Sequence, residues 1–220
     1  QGVKALHVLE KRFSLKLLFT HFPWGSDYYF QRGEMMPADA LETLRKYDAV
    51  YFGAVGHPQI PDDVTLHGLL LPMRRGFDQY VCLRPNVLYQ GVASPLRDKA
   101  PGSIDLVVVR ENTEGEYAPV GGSLYAGTSD EIAIQSNVFT RKGTERIIRY
   151  TFELARKRGK KRKVTSVTKS NAQRHSMVFW DAVFAEVVKG YPDIQTESLL
   201  VDAACMNLVR RPEGFDVIVA

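Results

Sequence analysis

The chain has 220 residues, of which 45% are hydrophobic and 25% charged, and its formal net charge is +4. This composition is typical of a folded globular protein with one large or two small domains, and no apolar run approaches the roughly 20 residues of a membrane span. Cys82 and Cys205 are isolated and lie in apolar runs. They are predicted to be small core residues of a reducing, cytoplasmic compartment rather than parts of a disulfide framework or a zinc site.

The hydrophobic pattern predicts helices and strands that alternate along almost the whole chain. In the first half of the chain the predicted elements are a helix over 3–13, a strand over 15–19, a helix over 37–44, a buried strand over 48–56, a helix over 66–75, a strand over 80–83 that stops at Arg84 and a strand over 104–109. An irregular glycine-rich span over 115–130 follows. The remaining predicted elements are a strand over 132–139, a helix over 141–158, a strand over 163–168, a helix over 172–189, a strand that ends at 201, a helix over 203–210 and a strand over 215–220. This alternation predicts an α/β protein with much parallel sheet. The chain opens in a helix without a preceding strand and stops on a strand, so we expect the middle part of a longer enzyme.

Basic residues concentrate in segment 156–163, between a predicted helix and a predicted strand. Cations near the C-terminal end of a helix complement its dipole, and Gly159 is a suitable residue to end that helix. We therefore predict a solvated turn and no nucleic-acid partner. A nucleic-acid-binding patch is the alternative.

The segment 110–117 has the densest functional chemistry in the sequence. It directly follows the predicted strand 104–109 and contains a cation, three carboxylates and a phenol. Parallel α/β proteins usually bind ligands at the carboxyl ends of their strands. The segment is therefore a candidate active site, with an ordinary polar loop and a salt-bridged Arg110 as the alternative.

Three arginines, Arg74, Arg84 and Arg110, follow predicted strand or helix ends. A guanidinium group binds a carboxylate through two hydrogen bonds, so several converging arginines would hold a dicarboxylate. Lys169 and Asp202 also follow predicted strands. A partly desolvated lysine can act as a base, whereas a single carboxylate needs further oxygen ligands to hold Mg²⁺ or Mn²⁺.

Together these motifs resemble the isocitrate and isopropylmalate dehydrogenase family of metal-dependent β-decarboxylating dehydrogenases. The matching segments occur in the family's order and span most of the chain: 53–56, Arg74, 83–85, 110–117, 168–172 and 201–204. Within the family, the segments most similar to the branch that acts on tartrate and D-malate are 24–29, 35–39, 76–80 and 169–175. The isopropylmalate dehydrogenases are the alternative within the family.

The resemblance implies an isopropylmalate dehydrogenase-like fold, a three-layer α/β/α arrangement with a largely parallel sheet, incomplete in this chain. It implies a partial cofactor-side domain over 1–79 and a central substrate and dimerisation domain over 80–220, with an arm around 115–139. The family's first strand with its glycine turn, its two further metal-binding aspartates and its adenosine-binding loop have no counterpart here. We therefore expect the chain by itself to be inactive.

The implied activity is the oxidation, with decarboxylation, of a 2-hydroxy diacid such as D-malate or tartrate, with NAD and Mg²⁺ or Mn²⁺ as cofactors. The resemblance implies that Arg74, Arg84 and Arg110 bind the substrate carboxylates. It also implies that Leu70 and Leu71 lie near the group that distinguishes one substrate from another.

The same resemblance assigns the proton-transfer groups. Lys169 would take the hydroxyl proton, and Tyr117 would protonate the enol carbon after decarboxylation. Asn171 would lie near the nicotinamide, and Asp202 would be one metal ligand. In the family this lysine and this aspartate serve the active site of the partner subunit, which implies a homodimer. A non-catalytic oligomerisation fragment is the alternative from a different class.

Overall fold

A computed structural model describes all 220 residues. The chain divides into two compact units, Gln1–Pro72 and Met73–Ala220. No helix in either unit is long and apolar enough to cross a bilayer.

The first unit is helical and contains no strand. Its elements are α1 (Gly2–Phe13), α2 (Ser26–Arg32), α3 (Ala40–Leu44), α4 (Asp62–Thr65) and a π-helical turn (Leu66–Leu70). A further short helix, α5 (Leu71–Gly76), contains the residues on both sides of the division between the units. Gly33, with φ of 75°, ends α2 in the left-handed conformation that glycine adopts without steric cost.

The prediction of two strands in this unit is wrong. Segments 15–19 and 48–56 contain no strand residue, and most of their large apolar side chains are exposed, including Leu18 at 84% and Tyr51 at 63%. An apolar run forms a strand only when a neighbouring strand satisfies its backbone N–H and C=O groups. No residue of the first unit supplies that neighbour.

The second unit contains a five-stranded sheet with the order β1-β2-β7-β5-β6. The strands are β1 (Val81–Val87), β2 (Asp105–Glu111), β5 (Lys163–Thr168), β6 (Gln195–Leu200) and β7 (Val217–Val219). Strand β1 is antiparallel to β2, and all other pairs are parallel. Because β1 is an edge strand, it tolerates Pro85 in its middle, which is why it does not stop at Arg84 as predicted.

Helices cover both faces of this sheet: α6 (Arg141–Arg158), α7 (Ser176–Val188) and α8 (Val201–Arg210). Alternate residues of each strand point to opposite faces. Val109 and Val219 belong to the core shared with α6 and α7, whereas Ile218 belongs to a second core that contacts Leu208 of α8. The fold is therefore the predicted three-layer α/β/α arrangement with a largely parallel sheet.

A separate two-stranded sheet consists of β3 (Gly115–Leu124) and β4 (Ile132–Val138). The span 115–130, predicted to be irregular, is therefore a strand over much of its length. Its glycines allow close pairing, since a Cβ atom on Gly121 would lie 2.2 Å from the carbonyl oxygen of Ile134. Gly121, one of the glycines that make the sequence look irregular, is thus suited to this hairpin because it faces the backbone of the partner strand.

The basic segment 156–163 forms ion pairs with acidic residues of the second unit. Arg158 donates from Nε to Asp216 at 2.9 Å and from Nη2 to Asp105 at 2.8 Å, and Asp216 is fully buried. Arg156 makes a forked pair with Asp193, at 2.5 and 3.0 Å, closer to the surface. Much of the positive charge of the segment therefore meets acidic partners within the unit.

Neither cysteine has the predicted core position. Cys82 is half buried in β1, and Cys205 is exposed on α8. Both thiols are free. The apolar neighbours of each cysteine in sequence did not determine which side of the strand or helix it occupies.

Candidate active site

Three arginines of the second unit converge near the carboxyl end of β2. Cys82 of β1 is directly opposite Arg110 of β2, and Arg84 is opposite Val108. Arg84 and Arg110 therefore share one face of the antiparallel pair as diagonal neighbours, about 7–8 Å apart by standard sheet geometry.

Arg74 of α5 completes the group. Burial is the largest cause of the lowered pKa of Arg74, and the positive charges of Arg110 and Arg84 lower this pKa further. None of the three arginines forms an ion pair with a carboxylate. Three cations that repel one another without an acidic partner favour the binding of an anion.

The guanidinium of Arg110 has few partners within the protein. Its Nη2 donates to Oδ1 of Asn112 at 2.7 Å, whereas its Nε is buried without a hydrogen-bond partner. The group lies 5.1 Å from the ring centre of Tyr117, a cation–π distance. Arg75 donates to the backbone carbonyl of Tyr117, so Tyr117 is held from two sides next to the arginines.

The three glutamates of segment 110–117 have structural partners. Glu111 accepts hydrogen bonds from the backbone N–H groups of Thr113 and Glu114, at 2.9 and 2.6 Å. Glu114 accepts from the backbone N–H and the hydroxyl of Thr140, both at 2.9 Å, just before α6 begins. Glu116 is 3.4 Å from Nδ2 of Asn137 on β4. Arg110 and Tyr117 are left as the groups of this segment that are available for a ligand.

Lys169 and Asp202 meet because the sheet register brings them together. Thr168 of β5 pairs with Leu200 of β6, so both chains leave the sheet at the same level. Nζ of Lys169 then lies 2.5 Å from Oδ2 of Asp202. The hydrogen bond from Lys169, followed by its charge, lowers the pKa of Asp202.

The two groups of side chains lie on the same edge of the sheet. Strands β2, β7 and β5 are parallel, with β7 in the middle. Arg110 near the carboxyl end of β2 and Lys169 directly after β5 are therefore at the same edge. The strand spacing places β2 and β5 about 10 Å apart. Asn171 is exposed in the loop after β5, whereas Leu70 is half buried and Leu71 is buried in the first unit.

The residues of this chain do not form a metal site by themselves. Asp202 is a single exposed carboxylate whose charge is already met by Lys169. No group of three or more histidine, cysteine, aspartate or glutamate side chains lies together anywhere in the chain. A divalent cation needs several oxygen ligands, so Asp202 alone would not hold one.

An open cavity of about 520 Å³ borders Arg74. Its lining includes Arg74, Cys82 and Asn112. Nothing in the sequence singled out Arg75, or gave Asn112 a role of its own within segment 110–117. Asn112 follows Arg110 by two residues, and this spacing on a strand is the signal that could have placed both residues on one face.

Fold and site together define a largely parallel α/β protein with a group of arginines at one edge of its sheet. The whole chain, residues 1–220, matches the isocitrate/isopropylmalate dehydrogenase family. The chain belongs to this family.

Similar proteins agree with this assignment. The chain is 48% identical to the D-malate dehydrogenase [decarboxylating] of Escherichia coli over 222 aligned residues, covering 100% of this chain and 61% of that protein. It is 47% identical to the tartrate dehydrogenase/decarboxylase of Pseudomonas putida, covering 100% of this chain and 60% of that protein. The crystal structure of isocitrate dehydrogenase from Methylococcus capsulatus superposes with a TM-score of 0.83 at 30% identity, covering 99% of this chain and 61% of that one. The chain thus spans about 60% of the length of the curated relatives it matches.

Proposed function

We propose that the protein carrying this chain oxidises a 2-hydroxy diacid such as D-malate or tartrate, with loss of CO₂. The observation that carries the proposal is the group of three arginines, none of which forms an ion pair with a carboxylate, together with Tyr117 beside Arg110. Two relatives that match the full chain are named for the oxidation or decarboxylation of these diacids. NAD and Mg²⁺ or Mn²⁺ are part of the proposal as cofactors.

Arg74, Arg84 and Arg110 bind the two carboxylates of the diacid in this proposal. Converging guanidinium groups hold a dicarboxylate in one orientation, because each fork fits the two oxygens of a carboxylate. Burial and then the repulsion from Arg110 and Arg84 lower the pKa of Arg74, and binding of a dianion would relieve that repulsion. Leu70 and Leu71 contact the substituent that distinguishes one diacid from another.

Lys169 accepts the hydroxyl proton of the substrate. In the structure its Nζ donates to Oδ2 of Asp202 at 2.5 Å, so this contact must open before the lysine can accept a proton from the substrate. Tyr117 has a partly exposed side chain, and it donates a proton to the carbon that loses CO₂. Both are proton transfers by side chains held at strand or hairpin positions.

Asn171 lies near the nicotinamide in this proposal, and Asp202 contributes one oxygen ligand to the metal. A bound divalent cation would stabilise negative charge on the substrate oxygen. Lys169 and Asp202 act in the site of a second copy, so the proposed protein is a homodimer. Asp202 and Asn171 are both exposed and therefore accessible to such a partner.

The test uses Lys169→Met and Tyr117→Phe in the full-length protein that carries this chain. Oxidation of the hydroxy acid and decarboxylation of the matching keto acid are measured separately. Lys169→Met should lower kcat for oxidation by roughly 10²- to 10⁴-fold and affect keto-acid decarboxylation less, because that substrate has no hydroxyl proton to lose. Tyr117→Phe should retain more of the oxidation step and impair protonation of the enol.

Lys157→Met is the matched control, since Lys157 is an exposed lysine on α6 away from the sheet edge. It should leave both reactions unchanged. Equal, small effects of the two site variants on both reactions would refute the proposed division of roles. A higher kcat/KM for 3-isopropylmalate than for D-malate and tartrate would replace the proposed substrate, and absence of turnover with all three would favour a non-catalytic oligomerisation role.

A further inference from the structure

Asn112 is a buried polar residue at the centre of the candidate site. It is only 5% exposed and lies directly after β2. Its Oδ1 accepts from Nη2 of Arg110 at 2.7 Å, and its Nδ2 donates to the carbonyl oxygen of Gln79 at 3.0 Å. Its backbone N–H donates to the carbonyl of Tyr80 at 3.1 Å. Asn112 therefore connects Arg110 to the chain segment that leads into β1.

These bonds fix which way the amide faces. Because the carbonyl of Gln79 can only accept, it holds the NH₂ end of Asn112, and the amide oxygen must then face Arg110. A buried amide with both ends satisfied is costly to rotate, since rotation would leave its donor and acceptor unpaired. The oxygen of Asn112 is thus a fixed anchor.

Arg110 depends on this anchor. Its Nε is buried without a partner, and it has no ion pair with a carboxylate. The bond to Asn112 is its one side-chain hydrogen bond, and the other fixed contact is the ring of Tyr117 at 5.1 Å. Removal of the anchor would leave the guanidinium free to move away from the repelling charges of Arg74 and Arg84.

We propose that Asn112 is a positioning residue that acts through Arg110. It holds the guanidinium over Tyr117 and turns the remaining N–H groups towards the anion site. The proposal deepens the proposed function and rests on it where it concerns substrate binding. The position of Arg110 itself can be tested without that function.

The kinetic experiment compares Asn112→Ala with Asn207→Ala in the full-length protein. Asn207 is a matched control, because it is also buried, at 8% exposure, and also accepts from an arginine, Arg211, at 3.2 Å. Loss of a hydrogen bond to a charged group should raise KM for D-malate about 10- to 100-fold in Asn112→Ala, with a smaller change in kcat. Asn207→Ala should leave KM unchanged.

A double-mutant cycle with Arg110→Ala separates positioning from a general structural role. If Asn112 acts through Arg110, then Asn112→Ala should add no further rise in KM once Arg110 has been removed. Full additivity of the two changes would overturn the proposal.

Crystal structures of Asn112→Ala and Asn112→Asp give the readout that is independent of activity. The carboxylate introduced by Asn112→Asp still offers Arg110 an acceptor, although it cannot donate to Gln79. This variant should therefore leave the guanidinium over Tyr117, whereas Asn112→Ala should release it. A role limited to the Gln79 bond predicts that both variants disturb Arg110 equally. If Arg110 keeps its place in Asn112→Ala, the proposed positioning role of Asn112 is wrong. If Arg110 moves but the wild-type protein oxidises no diacid, the proposed function fails and the positioning role stands.

Discussion

The substitution Asp216→Asn tests whether the basic segment 156–163 stabilises the fold. Asp216 is fully buried, and it accepts from Nε of Arg158 at 2.9 Å and from the backbone N–H of Lys161 at 3.1 Å. Asparagine offers only one acceptor oxygen, so one of these two donors would face the NH₂ group. Removal of one partner from a buried ion pair costs about 3–5 kcal/mol. Arg158 keeps its bond to Asp105 at 2.8 Å, so we expect a loss at the lower end of that range, about 3 kcal/mol.

The assay is urea unfolding at pH 7, followed by circular dichroism, and the measured quantity is the free energy of unfolding. Asp193→Asn is the control, because Asp193 pairs with Arg156 from the same basic segment but both side chains are 37% exposed. Exposed ion pairs contribute little to stability, so this variant should unfold close to the wild type. Equal changes in the two variants would show that burial of Asp216 does not determine its contribution.

Two further predictions concern the turn and helix next to the candidate site. A Cβ atom on Gly143 would lie 1.2 Å from Oε1 of Glu114, so Gly143→Ala should displace this carboxylate from Thr140 and lower the unfolding free energy by about 1 kcal/mol. In a Glu114→Ala background the same change should be neutral or stabilising, by up to about 1 kcal/mol. A loss of stability in both backgrounds would contradict the reasoning. The hydrogen bond from Arg146 lowers the pKa of Asp78 below its usual 3.8. Because Asp78 is exposed, Asp78→Asn should reduce stability at pH 7 by less than about 1 kcal/mol. Urea unfolding should show this difference disappearing as the pH falls through the lowered pKa, because wild-type Asp78 is then itself protonated. A difference that persists in acid would contradict the ionic origin.

The sequence predicted the second unit better than the first. The helix over 141–158 and the strand over 163–168 have the predicted bounds, because each has strong periodicity and a clear end signal, such as Gly159 with φ of 60°. The predicted strands over 15–19 and 48–56 have equally apolar sequences but no neighbouring strand. Periodicity reports which side of an element is apolar, whereas a strand also requires hydrogen-bond partners that are far away in sequence.

The site shows the same limit at the level of single residues. The sequence put Arg84 and Arg110 directly after predicted strands. In the structure both lie within strands, and only the β1–β2 register puts them on one face. The register of β5 and β6 similarly brings Lys169 to Asp202. Pairing registers depend on the whole sheet, so no local pattern contains them.

Charge density alone would also have assigned the wrong residues of segment 110–117. Glu111 and Glu114 look as reactive as Arg110 in the sequence, yet their oxygens accept bonds from backbone N–H groups that the turn and the start of α6 would otherwise leave unpaired. Arg110 differs because its Nε is buried and unpartnered. An unpaired buried N–H group costs stability, and the proposed binding of a diacid at this guanidinium would offset that cost. The hydrogen bonds that a charged group already makes within the fold therefore separate the residues that build this turn from those that remain available for the proposed ligand.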